Sequence, residues 1–130
     1  MSYNLQIIFS VGLGGALGSI LRFYAVDYIH KLGTNSFPFG ILFVNMLGSF
    51  IIGMLYAYFS THEIPTVYKA FLTAGFLGGL TTFSTFALDS FLLFNSSLNL
   101  AILNIILNLF GSIFLVMVGF KLVIFLIKWQ

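Results

Sequence analysis

Residues 75–86 read GFLGGLTTFSTF, and they interrupt an apolar segment that runs roughly from Val67 to Phe94. The paired glycines Gly78 and Gly79, together with the four hydroxyl residues that follow them, weaken a continuous helix. The stretch therefore predicts a helix that is broken in the middle of a membrane. A break of this kind frees backbone carbonyls, which must find a donor or a cation.

The composition around this stretch indicates an all-α integral membrane protein. Of the 130 residues, 60% are hydrophobic and only 6% are charged, which is unusual for a soluble globular domain. A helix needs about 20 apolar residues to cross the hydrocarbon layer, so the chain has room for four spans. We predict a single domain over residues 1–130, with transmembrane spans at roughly 5–29, 37–59, 67–94 and 100–127 and polar turns at 31–36, 60–65 and 95–99.

The charged and reactive residues exclude several classes of function. The net charge of +2 is too small to indicate a nucleic-acid partner, and the absence of cysteine excludes disulfides and thiolate metal sites. The predicted spans carry no group of His, Asp and Glu residues with catalytic spacing, so the chain is not expected to be an enzyme. We expect His30 and His62 to be solvated residues in loops.

Arg22 is the only arginine of the chain, and it lies well inside the first span. A charge held there costs about 2.5 to 3.5 kcal/mol on insertion scales, so it requires compensation. We favour a water-filled vestibule, because charges inside a membrane usually mark a transport pathway. The alternatives are that Arg22 snorkels to the interface or pairs with Asp27, about one turn away.

Four polar side chains in the second and fourth spans are candidates for contact with a transported ion. Asn45 offers two amide donors that hydrocarbon cannot satisfy, so its partner is either another helix or a permeating anion. Asn104, Asn108 and Ser112 lie four residues apart and form a polar stripe along one helical face. Three polar positions on one line indicate the lining of a conduit.

Phe83 and Phe86 lie three residues apart in the hydroxyl-rich stretch, on neighbouring faces of a helix. The positive edge of an aromatic ring can face an anion without holding it too tightly for release. Without the surrounding stretch, two of the 17 phenylalanines would indicate packing only.

The carbonyls released between Gly78 and Thr82 offer oxygen ligands without a fixed charge. Such ligands suit a monovalent ion such as sodium better than a transition metal, and two copies meeting here would form a carbonyl cage. The alternative is that neighbouring hydroxyls satisfy the groups freed by the break, those of Thr81, Thr82, Ser84 and Thr85.

Small residues recur at the spacing of close helix packing, and spacing alone leaves open whether they join helices of one subunit or of two: Gly14 and Gly18, Gly15 and Ser19, Ser49 and Gly53, Gly75 and Gly79. Four helices enclose little space, so a transport pathway requires a second copy. Positive residues divide almost evenly between the two sides, so we predict insertion in both orientations and an antiparallel dual-topology dimer. Ordinary single topology is the alternative.

Three motifs together resemble one known family: Gly14-Gly15-x-x-Gly18-x-x-x-Arg22, then Gly40-x-x-x-x-Asn45-x-x-Gly48-x-x-x-x-Gly53, then residues 75–86. Over essentially its whole length the chain is similar to the Fluc (CrcB-type) fluoride ion channels. The resemblance implies a fluoride-selective channel that exports fluoride passively from the cytoplasm, lowering its toxicity, across the inner (plasma) membrane of a bacterium. It also implies an antiparallel homodimer in membrane lipid, with two pores lined by Phe, Asn and Ser or Thr.

The resemblance also implies roles for single residues. The fluoride pathway would include Phe83, Phe86, Asn45, Ser84 and Thr85, with Arg22 in a vestibule. Carbonyls of Gly78 and Thr81 would hold a structural sodium ion at the dimer interface. In the fourth span, relatives often have a tyrosine and a serine where this chain has Asn104 and Asn108; the polar character of the path, with Ser112, is kept. The role of Asp89, just beyond the third motif, is left open.

Two other functions fit a small four-helix membrane protein. A small multidrug-type transporter would need a membrane-embedded carboxylate for proton coupling, but Asp27 lies near the end of its span and Asp89 beyond the broken stretch. The second alternative is a subunit that is active only as a heterodimer with a paralogue.

Overall fold

The computed structural model of the chain describes residues 5–33 and 36–129. Within these ranges the protein is helical, with four helical spans that are long and apolar enough to cross a membrane: Leu5–Leu32, Phe39–Thr61, Thr66–Ser96 and Leu98–Lys128. The spans begin and end within a few residues of the predicted ones. Part of the predicted turn at 31–36, Thr34 and Asn35, lies outside the described residues.

The first two spans are uninterrupted helices, α1 (Leu5–Leu32) and α2 (Phe39–Thr61). α1 continues through His30, so the expectation that this histidine lies in a loop is wrong; the apolar segment simply carries its helix one turn further. His30 is nonetheless exposed. His62 ends α2 and stacks on the ring of Tyr58, with ring centroids 4.2 Å apart.

The third span consists of several segments. It begins with α3 (Thr66–Ala70), widens into a π-helical segment π1 (Phe71–Leu77) and ends its first half as α4 (Gly78–Leu80). Thr81 and Thr82 have extended backbone, with φ/ψ of −85°/157° and −151°/121°, and α5 (Phe83–Ser96) follows. The Thr81 N–H still bonds the Leu77 carbonyl as in a helix, whereas the Thr82 N–H donates to a side chain, so the helical hydrogen bonding is interrupted at Thr82. The depth of this point in a membrane stays a prediction.

The fourth span also changes its helical geometry. α6 (Leu98–Ile106) starts at Ser97, whose hydroxyl accepts from the Leu100 N–H. A π-helical segment π2 (Leu107–Gly111) then leads into α7 (Ser112–Lys128). A π turn shifts the register of the side chains that follow it, so the predicted stripe of polar residues does not continue on an ideal α-helical face.

Small residues let the spans approach closely within one chain. A side chain at Gly14 would place its Cβ 2.5 Å from the carbonyl oxygen of Phe71, and one at Gly79 would lie 2.5 Å from that of Gly15. On the other side of the molecule, Gly53 faces the backbone of Val116 in the same way. These predicted small-residue positions therefore pack α1 against π1 and α4, and α2 against α7.

The apolar core lies where α2 meets the interrupted third span. Val44, Leu77 and Leu80 form its buried cluster, and Val26 and Ile51 pack against it. Many large apolar side chains elsewhere are exposed, such as Phe9 and Phe114. This distribution suits a protein whose outer surface faces lipid. The core holds the Thr81–Thr82 interruption against α2.

Candidate functional site

An open groove with a cavity volume of about 430 Å³ lies beside the Thr81–Thr82 interruption. It is walled by α2, by the two halves of the third span and by the fourth span around π2. Five predicted site side chains line it: Asn45, Phe83, Phe86, Asn108 and Ser112. Gly78 and Thr81 line it as well, and the polar residues Ser49, Thr73 and Thr82 complete it without having been predicted as site residues.

Thr82 organises the interruption. Its N–H donates to Oδ1 of Asn45 over 2.8 Å, and its carbonyl accepts from Nδ2 of the same amide over 3.1 Å. The Thr82 hydroxyl oxygen accepts from the N–H of Thr85 and so caps α5. Asn45 therefore satisfies the Thr82 N–H, which the interruption leaves without a helical partner, and gives a further hydrogen bond to the Thr82 carbonyl, which as the N-cap carbonyl also accepts the first bond of α5.

Asn45 also links the interruption to the fourth span. Its Nδ2 donates a second hydrogen bond, 2.9 Å long, to Oδ1 of Asn108. The Asn108 amide in turn donates to the backbone carbonyl and to Oδ1 of Asn104, at 3.1 and 2.9 Å. Of the two predicted partners for Asn45, the structure thus shows the neighbouring helices.

The chain of amides ends on α5. Nδ2 of Asn104 donates to Oγ of Ser90 over 3.0 Å, and the Ser90 hydroxyl donates to the carbonyl of Phe86 over 2.8 Å. Asn104 is fully buried and Asn108 is only 6% exposed. The network therefore connects Thr82, the N-cap of α5, with Ser90, two turns further along the same helix, through α2 and the fourth span. It holds in place the helix that carries both phenylalanines.

The rings of Phe83 and Phe86 meet edge to face, with centroids 5.4 Å apart and an interplanar angle of 66°. Phe83 is 77% exposed although it lines the groove, which makes it one of the most exposed large apolar side chains of the chain. Other outward-facing apolar side chains are similarly exposed, such as Phe9 at 66%, so Phe83 is distinguished by its place in the groove lining.

Arg22 contacts the interruption from the side of α1. Its Nη1 donates to the carbonyl of Thr81 over 3.0 Å, and the side chain is half-buried. Asp27 pairs instead with Lys31, with 2.6 Å between Oδ2 and Nζ, so the alternative in which Arg22 pairs with Asp27 is wrong. The guanidinium compensates its burial by bonding a carbonyl of the broken helix. Arg22 lies outside the groove lining.

The two carbonyls predicted to bind sodium, those of Gly78 and Thr81, differ in whether they already accept a hydrogen bond. In a continued α-helix the Thr82 N–H would bond the carbonyl of Gly78, but it donates to Asn45 instead. Gly78 can therefore offer a neutral oxygen. The Thr81 carbonyl has one of its two lone pairs engaged by Arg22. Among the described residues, no group of three His, Asp or Glu side chains could hold a metal ion, so a cation here would depend on such neutral oxygens.

Three other predicted pathway residues are not among those that line the groove: Ser84, Thr85 and Asn104. The hydroxyls of Ser84 and Thr85 lie 3.3 and 3.0 Å from that of Thr82. Ser90 was not predicted, and Thr82 was predicted only as a hydroxyl near the break, not as the backbone partner of Asn45. Thr82 lies within the quoted stretch, and Ser90 follows Phe86 by four residues, a spacing that places the two on one helical face.

Comparison with known proteins identifies the relatives of this chain. The model of the family described as CrcB-like protein, Camphor Resistance (CrcB), matches residues 9–120. Proteins named "Fluoride-specific ion channel FluC" are similar over most of both chains. The one from Nitratiruptor sp. is 49% identical, covering 85% of this chain and 86% of the relative, and the one from Sulfurimonas denitrificans is 48% identical, covering 91% and 93%. One from Campylobacter jejuni is 45% identical, covering 89% and 96%.

These relatives are ion channels and not enzymes, as the sequence predicted, and the four long apolar helices agree with a multi-pass membrane protein. The match of a family model to most of the chain, and of relatives that are nearly half identical to it, confirms the resemblance carried by the three motifs. The chain belongs to the CrcB family, to which the Fluc-type fluoride channels belong.

Proposed function

We propose that this chain forms a fluoride-selective ion channel through which fluoride leaves the cytoplasm passively. The observation that carries the proposal is the groove, which brings neutral amides, hydroxyls and aromatic rings together beside a helix interruption. The names of the relatives support the choice of fluoride.

The chemistry of the groove suits a small, strongly hydrated anion. Ser112 carries a hydroxyl donor, and Asn45 carries an amide donor that is now given to Oδ1 of Asn108; both could replace water molecules around an ion. The groove lining includes no charged side chain among the described residues. A neutral lining can release the ion again, which conduction requires. The rings of Phe83 and Phe86 would present positive edges to the anion.

A second copy would close the open side of the groove. Phe83 is largely exposed there, and an antiparallel homodimer would place the same exposed ring on a second groove, giving two pores per dimer. In this arrangement the Thr81–Thr82 interruption lies near the middle of the membrane and both orientations of the chain are inserted. We place the dimer in the lipid of the inner membrane of a bacterium.

A structural sodium ion is part of the proposal. The released carbonyl of Gly78 and the second lone pair of the Thr81 carbonyl would be its ligands in each subunit. A bound sodium ion would supply a fixed positive charge between two chains at the dimer interface. Arg22 already donates to the Thr81 carbonyl and would have to share this oxygen with the ion.

Fluoride efflux from liposomes that contain the purified chain alone tests the proposal. A fluoride electrode would record rapid efflux, and a chloride electrode little. Phe83→Ile should slow fluoride efflux, because it removes the ring edges at the groove. Phe91→Ile is the matched control: Phe91 lies on the same helix and is 63% exposed, but it is not among the groove residues.

Results other than fluoride-selective efflux would indicate a different function or assembly. Absence of fluoride efflux from a folded dimer contradicts a self-sufficient channel; efflux that returns when a paralogue is added identifies a heterodimer. A multidrug-type transporter would move an organic cation in exchange for protons. The structure gives that function little support, because Asp27 of the first span is exposed and paired with Lys31.

A further inference from the structure

The hydrogen bonds of the amide network have a direction that backbone groups determine. Asn45 must turn its oxygen to the Thr82 N–H and its nitrogen to the Thr82 carbonyl, since a backbone N–H only donates and a carbonyl only accepts. Asn108 must likewise turn its nitrogen to the backbone carbonyl of Asn104, so its oxygen faces Asn45. The assignment of nitrogen and oxygen therefore follows from fixed neighbours at both ends.

This direction leaves both N–H groups of the Asn45 amide engaged inside the protein. One is donated to the carbonyl of Thr82 and the other to Oδ1 of Asn108. Both Asn45 and Asn108 line the groove. An anion in the groove can receive a hydrogen bond from Asn45 only when it takes the place of one of these two acceptors.

The two acceptors differ in how easily they can be displaced. The Thr82 carbonyl belongs to a backbone whose own N–H is bonded to the same amide, so the two hydrogen bonds support each other. Oδ1 of Asn108 belongs to a side chain that rotates about two bonds, and its opposite end is held by Asn104. The side-chain oxygen of Asn108 is therefore the acceptor that an anion displaces more easily.

We propose that the side-chain oxygen of Asn108 competes with the permeating anion for the Asn45 amide, which makes Asn108 a selectivity-determining residue. This inference rests on the proposed fluoride channel and assigns one step of its ion recognition. The anion enters by replacing a neutral amide oxygen as acceptor, and Asn108 returns when the ion leaves.

The competition favours small anions with concentrated charge. Hydrogen bonds to an ionised acceptor are stronger than those to a neutral amide oxygen, so fluoride can displace Oδ1 of Asn108. A larger halide spreads its charge over a wider surface and needs more room beside Asn45, so it displaces the amide oxygen poorly. Asn104, itself bonded to Ser90, accepts from the nitrogen end of Asn108 and so favours the return of this amide to Asn45 when the ion leaves.

Replacing Asn108 tests the competition in the liposome efflux assay with the full-length chain. Asn108→Ala removes the internal acceptor and should raise chloride efflux on the order of tenfold, while fluoride efflux rises slightly, so that selectivity falls. Asn108→Asp installs a charged acceptor beside Asn45 and should lower fluoride efflux on the order of tenfold or more. Asn99→Ala makes the same substitution at an exposed position of α6 that is not among the groove residues; it is the control and should leave selectivity within about twofold of the wild type.

Measuring both fluoride and chloride efflux distinguishes this competition from a role of Asn108 as a direct ligand of the anion. A loss of fluoride efflux in Asn108→Ala with chloride still excluded would overturn the inference, since it would make Asn108 a direct ligand of the anion. A wild-type chain that conducts no fluoride would instead contradict the proposed channel itself. Asn108→Ser replaces the alanine variant if the latter does not assemble into dimers on size-exclusion chromatography.

A spectroscopic measurement on the wild type does not depend on any variant. In lipid nanodiscs with ¹⁵N-labelled asparagine, fluoride should shift the side-chain amide signals of both Asn45 and Asn108, because one gains an ionic acceptor and the other loses its donor. Chloride at the same concentration should shift them little. A fluoride-dependent shift of Asn45 with an unchanged Asn108 signal would contradict the exchange.

Discussion

The third and fourth spans are both interrupted beside the groove, but by different means. In the third span, Thr81 and Thr82 leave the helical conformation, and the backbone groups of Thr82 bond to Asn45 on α2. In the fourth span, Leu107–Gly111 widen into a π turn, which keeps its backbone hydrogen bonds inside the helix. A broken span therefore depends on a neighbouring helix, whereas a widened span supports itself.

The two interruptions also present different chemistry to the groove. The third span contributes glycine, threonine and the two phenylalanines, with Arg22 bonded to one of its carbonyls. The fourth span contributes the polar residues Asn108 and Ser112 beside the apolar Leu109 and Ile113. The network from Thr82 to Ser90 passes through both, so a change on either side is expected to reach the other. The following substitutions compare how much stability the protein loses when the third span or the fourth span is disturbed.

The largest effect is expected for Asn45→Ala. The substitution removes the partner of the Thr82 N–H and of Oδ1 of Asn108, and each buried polar group left unpaired costs about 1 to 3 kcal/mol, so the free energy of unfolding should fall by about 2 to 6 kcal/mol. Unfolding by sodium dodecyl sulfate in mixed micelles measures it. Ser49→Ala, one turn further along α2, should cost less than about 1 kcal/mol. Equal losses in both variants would show that the broken backbone does not rely on Asn45.

An intermediate effect is expected for Gly48→Ala. The added Cβ would overlap Cγ2 of Thr81, which presses on the extended backbone and should destabilise the fold by about 1 to 3 kcal/mol. The double variant with Thr81→Ser removes Cγ2 but keeps the hydroxyl that donates to the Leu77 carbonyl, so it should recover most of the loss. Gly12→Ala, which meets open space, is the control.

The wild type, Gly48→Ala, Thr81→Ser and the double variant form a double-mutant cycle, which thermal unfolding measures. If the losses of stability from Gly48→Ala and Thr81→Ser simply added in the double variant, the alanine at position 48 would not act through its contact with Thr81.

The smallest effect is expected for Gly111→Ala within the π turn. Its Cβ would lie 2.9 Å from Cε of Met46, the end of a flexible side chain that can move away, and alanine favours a helix by about 1 kcal/mol over glycine. The stability measured by the same unfolding assay should change by less than about 1 kcal/mol. A loss as large as that of Gly48→Ala would remove the distinction between the two spans.

Much of the fold was readable from the sequence because the physical constraints are strong. Hydrocarbon requires long apolar helices, so the four helices follow from composition and from polar turns. The small residues were visible as a pattern, but their partners were not: the choice between contact within one chain and between two needs the positions of the spans. The structure supplies those positions for Gly14, Gly79 and Gly53.

The candidate site was readable only in part. Asn45, Asn108 and the two phenylalanines stood out because polar or clustered residues in an apolar span require a reason. The hydrogen bond from Asn45 to Thr82 joins residues 37 positions apart, and no local spacing indicates such a pair. The π turn at Leu107–Gly111 was not predicted either, because spacings of four residues were interpreted on an ideal α-helix. Asn104, placed on the conduit by that spacing, is buried against Ser90. Its role in the pathway stays a prediction.

The bond between Asn45 and Thr82 also sets an order for biosynthesis. α2 precedes the third span in the chain, so during co-translational insertion its amide would reach the membrane before Thr81 and Thr82. A broken segment that entered lipid first would carry unpaired backbone groups at a cost of several kcal/mol. Translation thus delivers the acceptor and donor of Asn45 before the segment that needs them, and the third span can insert as a partner of α2 rather than as an independent helix.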